Sequence, residues 1–385
     1  LLEQAMLLHK QGHISAAIPV YRQVLQSHPE HPDALHYLGL ACHSDGDVDQ
    51  AIAYIRRALV VAPDYCEALN NLGVIYQQGH DLESAENCYR KVIELRPEHS
   101  DSHNNLGVVL KRQRRLQDAR NAFHAALKFD PFHARAQLNL GHLYRQVGHP
   151  EEAITHFRAA IDSGVASMEA WRALVIELQK IGKHEDAVST LEEWLQSDPD
   201  NPIAGHMKSA LNDELAPARA SDAFVRTVFD PMAESFDEHL DDLGYCAPEL
   251  LIAALTNADE FGESSCNVLD AGCGTGQCGT LVKPLAASLV GVDLSSRMLQ
   301  QAKKTGVYDA LHEAELTAFL QQQHRDYDVI LCADTLCYFG DLEEVTQAAA
   351  TALKDRGYFV FTTEELETDT PQGYLLHTKG RYSHS

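Results

Sequence analysis

The stretch VLDAGCGTG, residues 268–276, holds the residue types in this chain best suited to chemistry. An apolar run ends in an acid, Asp270, and glycine then falls at every second position: 272, 274 and 276. Bare backbone of this kind serves a tight turn, a nucleotide's phosphates or a sulfonium cofactor. The dinucleotide spacing GxGxxG is not met, because Gln277 stands where the third glycine is required. No GK[ST] follows, so the Walker pattern fails as well. What remains is an acid two residues before the first glycine and a second acid, Asp293, closing SLVGVD (288–293).

These residues need elements to position them. CNVLD (266–270), SLVGVD, YDVILCADTL (327–336) and GYFVFTT (357–363) are short apolar runs that read as buried strands. Between them, QCGTLVKPLAAS reads as a helix interrupted near Pro284. SSRMLQQAKKTG reads as a helix capped by Ser295 or Ser296 and stopped by Gly306. Alternation of strand and helix predicts an α/β domain with a parallel sheet. Ligands of such sheets sit at the carboxyl ends of the strands, where the glycine loop falls.

VLDAGCGTG followed by VGVDLSSRML resembles motif I and its partner acid in class I S-adenosylmethionine-dependent methyltransferases, over roughly residues 223–385. The resemblance implies S-adenosylmethionine as cofactor, with Asp270, Gly272, Gly274 and Gly276 beside its methionine part. It implies that Asp293 accepts both ribose hydroxyls, for which a carboxylate has the acceptor capacity. Leu294 and Met298 would pack near the adenine, and Glu315 with Leu316 (HEAELTAFL) would read its polar edge. Met298 and Leu316 also suit an ordinary core. Asp334, in CADTL, falls where the family's fourth strand meets the cofactor's amino-acid end.

Upstream, FDPMAESFDEHLDDLGYCAPELL (229–251) resembles the segment before motif I in bacterial methyltransferases that carry tetratricopeptide repeats. There it covers the cofactor as a helical lid, which singles out Phe236, His239 and Tyr245; a plain docking helix is the alternative. ADTLCYFG is not the N/D-PP-Y/F of amide or exocyclic-amine methylation, so those acceptors are disfavoured. His239 and Tyr338 are the candidate acceptor-side residues, with a structural role as the favoured alternative for each. A complete class I domain has seven strands, and GRYSHS ends the chain where the helix before the last two is expected. The expected fold is therefore a Rossmann-like domain lacking its last strands. The opening LLEQ also reads as the inside of a helix, so truncation is expected at both ends.

The first half is periodic. Prolines stand at 29, 63, 97, 131 and 199, with Val165 in the vacant slot of this 34-residue period. Alanine recurs at 17, 51, 85, 119, 153 and 187, and Ala5, Gly39, Gly73, Gly107, Gly141 and Val175 form a second column. Tyr21, Ile55, Tyr89, Phe123, Phe157 and Leu191 form a third. Small residues let paired helices approach, the large column is expected to fill the gap between units, and proline marks the turn onward. The pattern resembles the tetratricopeptide repeat family: about six units, then a closing helix at 201–213. It predicts an all-α solenoid over 1–213, an acidic linker and lid over 214–262, and the α/β domain over 263–385.

Asn71, Asn105 and Asn139 occupy one point of three consecutive units. In the repeat family that position lines the concave groove, where carboxamides can pair with the backbone of an extended protein or peptide partner. Polar contact between helices is the alternative. Histidines in PEHPDAL, RPEHSDSH and FDPFHAR cluster at the turns and read as solvated.

A formal net charge of −25 argues against broad nucleic-acid contact, which wants a basic face. Twelve acids against Arg219 and Arg226 between 214 and 265 read as a solvated linker face or as attraction for a cationic partner. Nine cysteines form no CxxC pair, so no metal is expected, and a reducing cytoplasm is the expected compartment. No apolar run is long enough to span a membrane. Two functions stay open: a methyltransferase whose repeats recruit a partner or substrate, and a non-catalytic scaffold on a degenerate methyltransferase fold.

Overall fold

The computed structural model describes residues 1–164, 167–211, 216–258, 266–366, 370 and 372–385. Val165, positions 212–213 of the expected closing helix, and Glu214, Asp259, Glu260 and Glu263 of the acidic run lie outside them. The chain divides into two compact units, Leu1–Lys183 and His184–Ser385. No helix among the described residues is long and apolar enough to cross a membrane.

In the first unit, helices come in consecutive pairs that form a helical solenoid. Pro32–Ser44 packs with Val48–Val61, Cys66–Gln78 with Leu82–Leu95, Ser100–Arg112 with Leu116–Phe129, and Ala134–Gln146 with Pro150–Asp162. The glycine column sits in the first helix of each pair and the large column in the second. A Cβ at Gly73 would fall 2.7 Å from the Tyr89 ring, and one at Gly107 or Gly141 would fall 2.5 Å from Phe123 or Phe157. Each ring therefore lies on the glycine of its own unit. This corrects the expectation that it fills the gap between units: the missing side chain is where the partner helix seats its ring.

The turn histidines are also more than solvated. His31, His99 and His133 are helix N-caps whose Nδ1 atoms accept from the amides of Ala34, Ser102 and Ala136 at 3.4, 3.2 and 3.1 Å. The Ser167 hydroxyl does the same for Ala170, while Tyr65 in the same register makes no side-chain cap.

In the second unit, β1 (Cys266–Ala271), β2 (Ala286–Asp293), β3 (Ala310–Glu313), β4 (Tyr327–Cys332) and β5 (Leu353–Phe361) form a parallel sheet. Their order is β3-β2-β1-β4-β5, with β1 central. The chain crosses to opposite sides of β1 after it and after β3, which opens a crevice at the strand ends. YDVILC is thus the fourth strand, and it stops at Cys332 rather than running to 336. The strand missed between them, β3, is an edge strand of four residues, none fully buried, so it carries little hydrophobic signal. Ser295 caps the helix Ser296–Thr305 through the Met298 amide, and Gly306 ends it in the left-handed conformation. The tail is a separate small sheet, β6 (Glu364–Glu365), β7 (Tyr374–Leu376) and β8 (Tyr382–His384), in the order β6-β8-β7. YSH of GRYSHS is β8, a strand where the sequence reading expected the approach to a helix.

Candidate functional site at the carboxyl ends of the strands

The glycine loop leaves β1 through three left-handed residues, Gly272, Gly274 and Gly276, with φ of +77°, +52° and +99°. Any side chain there would be strained. Gly272 is also pressed by Thr335, whose hydroxyl donates to the carbonyl of Ala271 at 3.3 Å, so a methyl group has no room. Around Gly274 the space is open, and its amide donates to Asp293 Oδ2 at 2.9 Å. The other oxygen of Asp293 accepts from the Ser295 amide at 2.8 Å. Burial raises the Asp293 carboxyl above the ordinary range against these two amides.

A small cavity of about 60 Å³ lies at the strand ends, walled by Gly272, Asp293, Leu294, Glu315, Leu316 and Tyr338 among others. It gathers residues that the sequence spreads over 67 positions, from the ends of β1, β2, β3 and β4. Met298 is buried behind it and is not part of its wall. Glu315 caps the helix Leu316–Leu320, each carboxylate oxygen accepting one amide, from Thr317 and Ala318 at 3.1 and 2.8 Å. Its Oε1 also faces Arg219 Nε at 3.9 Å.

Asp270 is fully buried, away from the cavity wall, and accepts the Tyr308 hydroxyl at 2.6 Å. Burial pushes its carboxyl up to about 6, against the Tyr308 hydrogen bond. Asp334 stands just past β4 with φ of +48°, unusual for a residue with a side chain. Its Oδ1 accepts the Thr362 hydroxyl at 3.0 Å and faces Arg381 at 3.5 Å, and Arg381 also pairs with Glu364. Tyr338 is largely buried, and burial pushes its phenol up. His239 is exposed on the helix Phe236–Leu243. The structure does not bring these two together in one constellation, since only Tyr338 reaches the cavity.

The upstream segment roofs the cavity. Arg219, Ala220 and Val225 complete its wall, and the Ala220 amide donates to the carbonyl of Tyr338 at 2.8 Å. Arg226 donates to the carbonyl of Leu294 at 3.1 Å, and Asp230 accepts the Ser295 hydroxyl. Asp237 accepts from the Thr275 hydroxyl at 2.5 Å and from Gln277 at 3.0 Å. These acids are therefore not a plain solvated face. Of the three lid residues expected, Phe236 packs edge-on against Phe229, and Tyr245 is half-enclosed near Asp334. Sequence reading missed Arg226, Asp230, Asp237 and Tyr308, whose partners lie 38 or more positions away, and Arg219, which pairs with nearby Asp222.

In the first unit, the asparagine column forms a ladder. Asn71, Asn105 and Asn139 each pair through Nδ2 with a side chain 35 residues earlier: His36 at 3.0 Å, Asn70 at 3.4 Å and Asn104 at 2.9 Å. These bonds join successive units, and the Asn105 oxygen in turn accepts from Asn104 at 3.3 Å. Among the described residues, no three His, Cys, Asp or Glu converge as a metal site.

Comparison with known proteins finds both kinds of architecture. Residues 269–359 match the family described as Methyltransferase domain, and tetratricopeptide repeat families match 2–65, 66–99, 98–163 and 138–202. Ubiquinone biosynthesis O-methyltransferase of Nitrosomonas europaea is 31% identical over 118 residues, 30% of this chain and 49% of that protein. The enzyme of the same name from Albidiferax ferrireducens is 32% identical over 118 residues, 29% of this chain and 46% of its own length. The chain thus spans about half the length of the curated relatives it matches. Among solved structures, MamA is similar at 23% identity and a TM-score of 0.39, over 42% of this chain and 94% of that one. The chain joins tetratricopeptide repeats to a domain of the methyltransferase family.

Proposed function

We propose that the second unit is an S-adenosylmethionine-dependent methyltransferase acting on an oxygen acceptor, and that the repeats recruit a protein partner or substrate. The observation that carries the cofactor assignment is Asp293. It stands on the cavity wall between Gly272 and Glu315, each oxygen holding one backbone amide and keeping a lone pair for a hydroxyl donor. The donor set fits a nucleoside: Asp293 for the ribose, Leu294 and Leu316 for the base, and the backbone at Glu315 for its polar edge. Gly272, Gly274 and Gly276 would hold the methionine part with Asp270 behind them, and Asp334 would face the amino-acid end.

Ligand pockets for molecules of this size are typically about 300 Å³ or more, so the cavity admits a nucleoside only when its roof moves. The ties of Arg226, Asp230 and Asp237 to the two cofactor-facing loops are what that motion must break. When bound, S-adenosylmethionine supplies an electrophilic methyl group on a sulfonium. The chain then has to orient the acceptor and exclude water. Tyr338 keeps its proton because burial opposes ionisation, so it serves as a hydrogen-bond donor to the acceptor and not as a base. The oxygen acceptor is carried over from the relatives, which are named for O-methylation. For the repeats, we infer that the carboxamides of the Asn71, Asn105 and Asn139 column meet the backbone of an extended peptide.

The test is calorimetric titration of S-adenosylhomocysteine, beside NAD as a control, into the protein. Saturable binding of the first alone is expected. No heat with S-adenosylhomocysteine would sink the cofactor reading.

A further inference from the structure

Tyr308 is held in a way that its local sequence does not account for. Its ring is bounded by three glycines from three places in the chain. A Cβ on Gly276 would come within 3.1 Å of the ring and one on Gly291 within 2.9 Å, while one on Gly279 would overlap the ring and hydroxyl. Gly279 lies inside the helix Gln277–Val282 and Gly291 inside β2, positions where glycine costs roughly 0.5–1 kcal/mol relative to alanine. Gly291 is the β2 partner of Asp270 in the sheet, so the ring crosses over it to reach the carboxylate. Two unfavourable glycines are thus offset by the seat they make for one side chain.

We propose that Tyr308 is a positioning residue for cofactor binding, wedged among Gly276, Gly279 and Gly291 with its hydroxyl on Asp270, so that Asp270 backs the glycine loop as an anion. This rests on the cofactor reading above. The groups facing Asp270 explain why the hydroxyl is needed. Cys273 on the loop, Cys278 on the following helix and Cys332 on β4 are thiols kept protonated by burial, and they supply no positive charge. Asp293 at the end of β2 repels it, and the Gly279 amide helps to stabilise the anion. An anion behind a loop that receives a sulfonium and an ammonium group favours both; a protonated Asp270 does not.

Two measurements on Tyr308→Phe test this. In the free protein, carbon-13 titration of the Asp270 carboxyl is expected to move up by about one pH unit or more, the scale of a lost hydrogen bond to a charged group. S-adenosylhomocysteine affinity, which keeps the ammonium group, should rise with pH through about 6 in the natural protein. In Tyr308→Phe the rise should move upward by the same amount. Asp270→Asn should remove it while keeping an acceptor for Tyr308. A shifted Asp270 titration with an unchanged affinity profile overturns the inference, because Tyr308 is then only a packing residue. An unshifted Asp270 overturns it at the first step. If the natural protein binds no S-adenosylhomocysteine, the cofactor reading falls, and this inference with it.

Discussion

Asp237, exposed on the helix Phe236–Leu243, accepts the hydroxyl proton of Thr275 at 2.5 Å, a residue of the glycine loop 38 positions later. The same carboxylate oxygen takes the Gln277 amide at 3.0 Å. The roof is thereby latched to the loop it covers. Asp237→Ala should weaken the closed arrangement by about 1 kcal/mol, the net worth of a typical hydrogen bond. Hydrogen exchange of the Phe236–Leu243 amides should accelerate several-fold, and S-adenosylhomocysteine should dissociate faster. Unchanged exchange there would mean that the latch holds nothing.

Asp293→Ala should weaken S-adenosylhomocysteine binding by roughly 1–3 kcal/mol, since it removes the acceptor assigned to the ribose. Asp293 also receives the Gly274 and Ser295 amides, so the variant must be shown to be folded by its circular dichroism. Equal affinity in a folded variant would remove the ribose assignment.

The buried Asp270 sets a pH dependence of stability. Its carboxyl is raised in the folded protein, from 3.8 to about 6, so folding favours its protonated form. The stabilisation is fully present below pH about 4 and is lost as pH rises toward 6. Over that window the second unit should lose up to roughly 1.4 kcal/mol per pH unit from this group. Denaturation followed by exchange of β1 amides should show that slope flattened in Asp270→Asn. An equal slope in both proteins would place the effect elsewhere.

Gly107→Ala tests the repeat packing by setting two terms against each other. Alanine in place of glycine gains about 1 kcal/mol of helix propensity. The added methyl falls 2.5 Å from Phe123, a ring with no exposed surface and nowhere to retreat. Overpacking of that kind costs about 1–3 kcal/mol, so a net loss of thermal stability is expected. Phe123→Leu in the same protein should recover part of it. Stabilisation by Gly107→Ala alone would show that the column is not a packing constraint.

What the sequence by itself determined is short-range or periodic. Ser295 and Gly306 delimit their helix because caps act within one turn. The glycine loop declares itself because three left-handed residues need three glycines. The 34-residue columns declare the repeats because every unit must solve the same packing problem. The histidine caps were legible in principle, since His31, His99, His133 and Ser167 share that register. Only tertiary structure decided the rest. Tyr308 meets Asp270 because the sheet sets Gly291 opposite Asp270. Asp237 and Asp230 bond to loops far along the chain. The tail strand β8 is pinned by Tyr382 to the carbonyl of Pro217, 165 positions earlier. Such partners are chosen by where strands stop and which side chain is missing, and neither is written in the residues nearby.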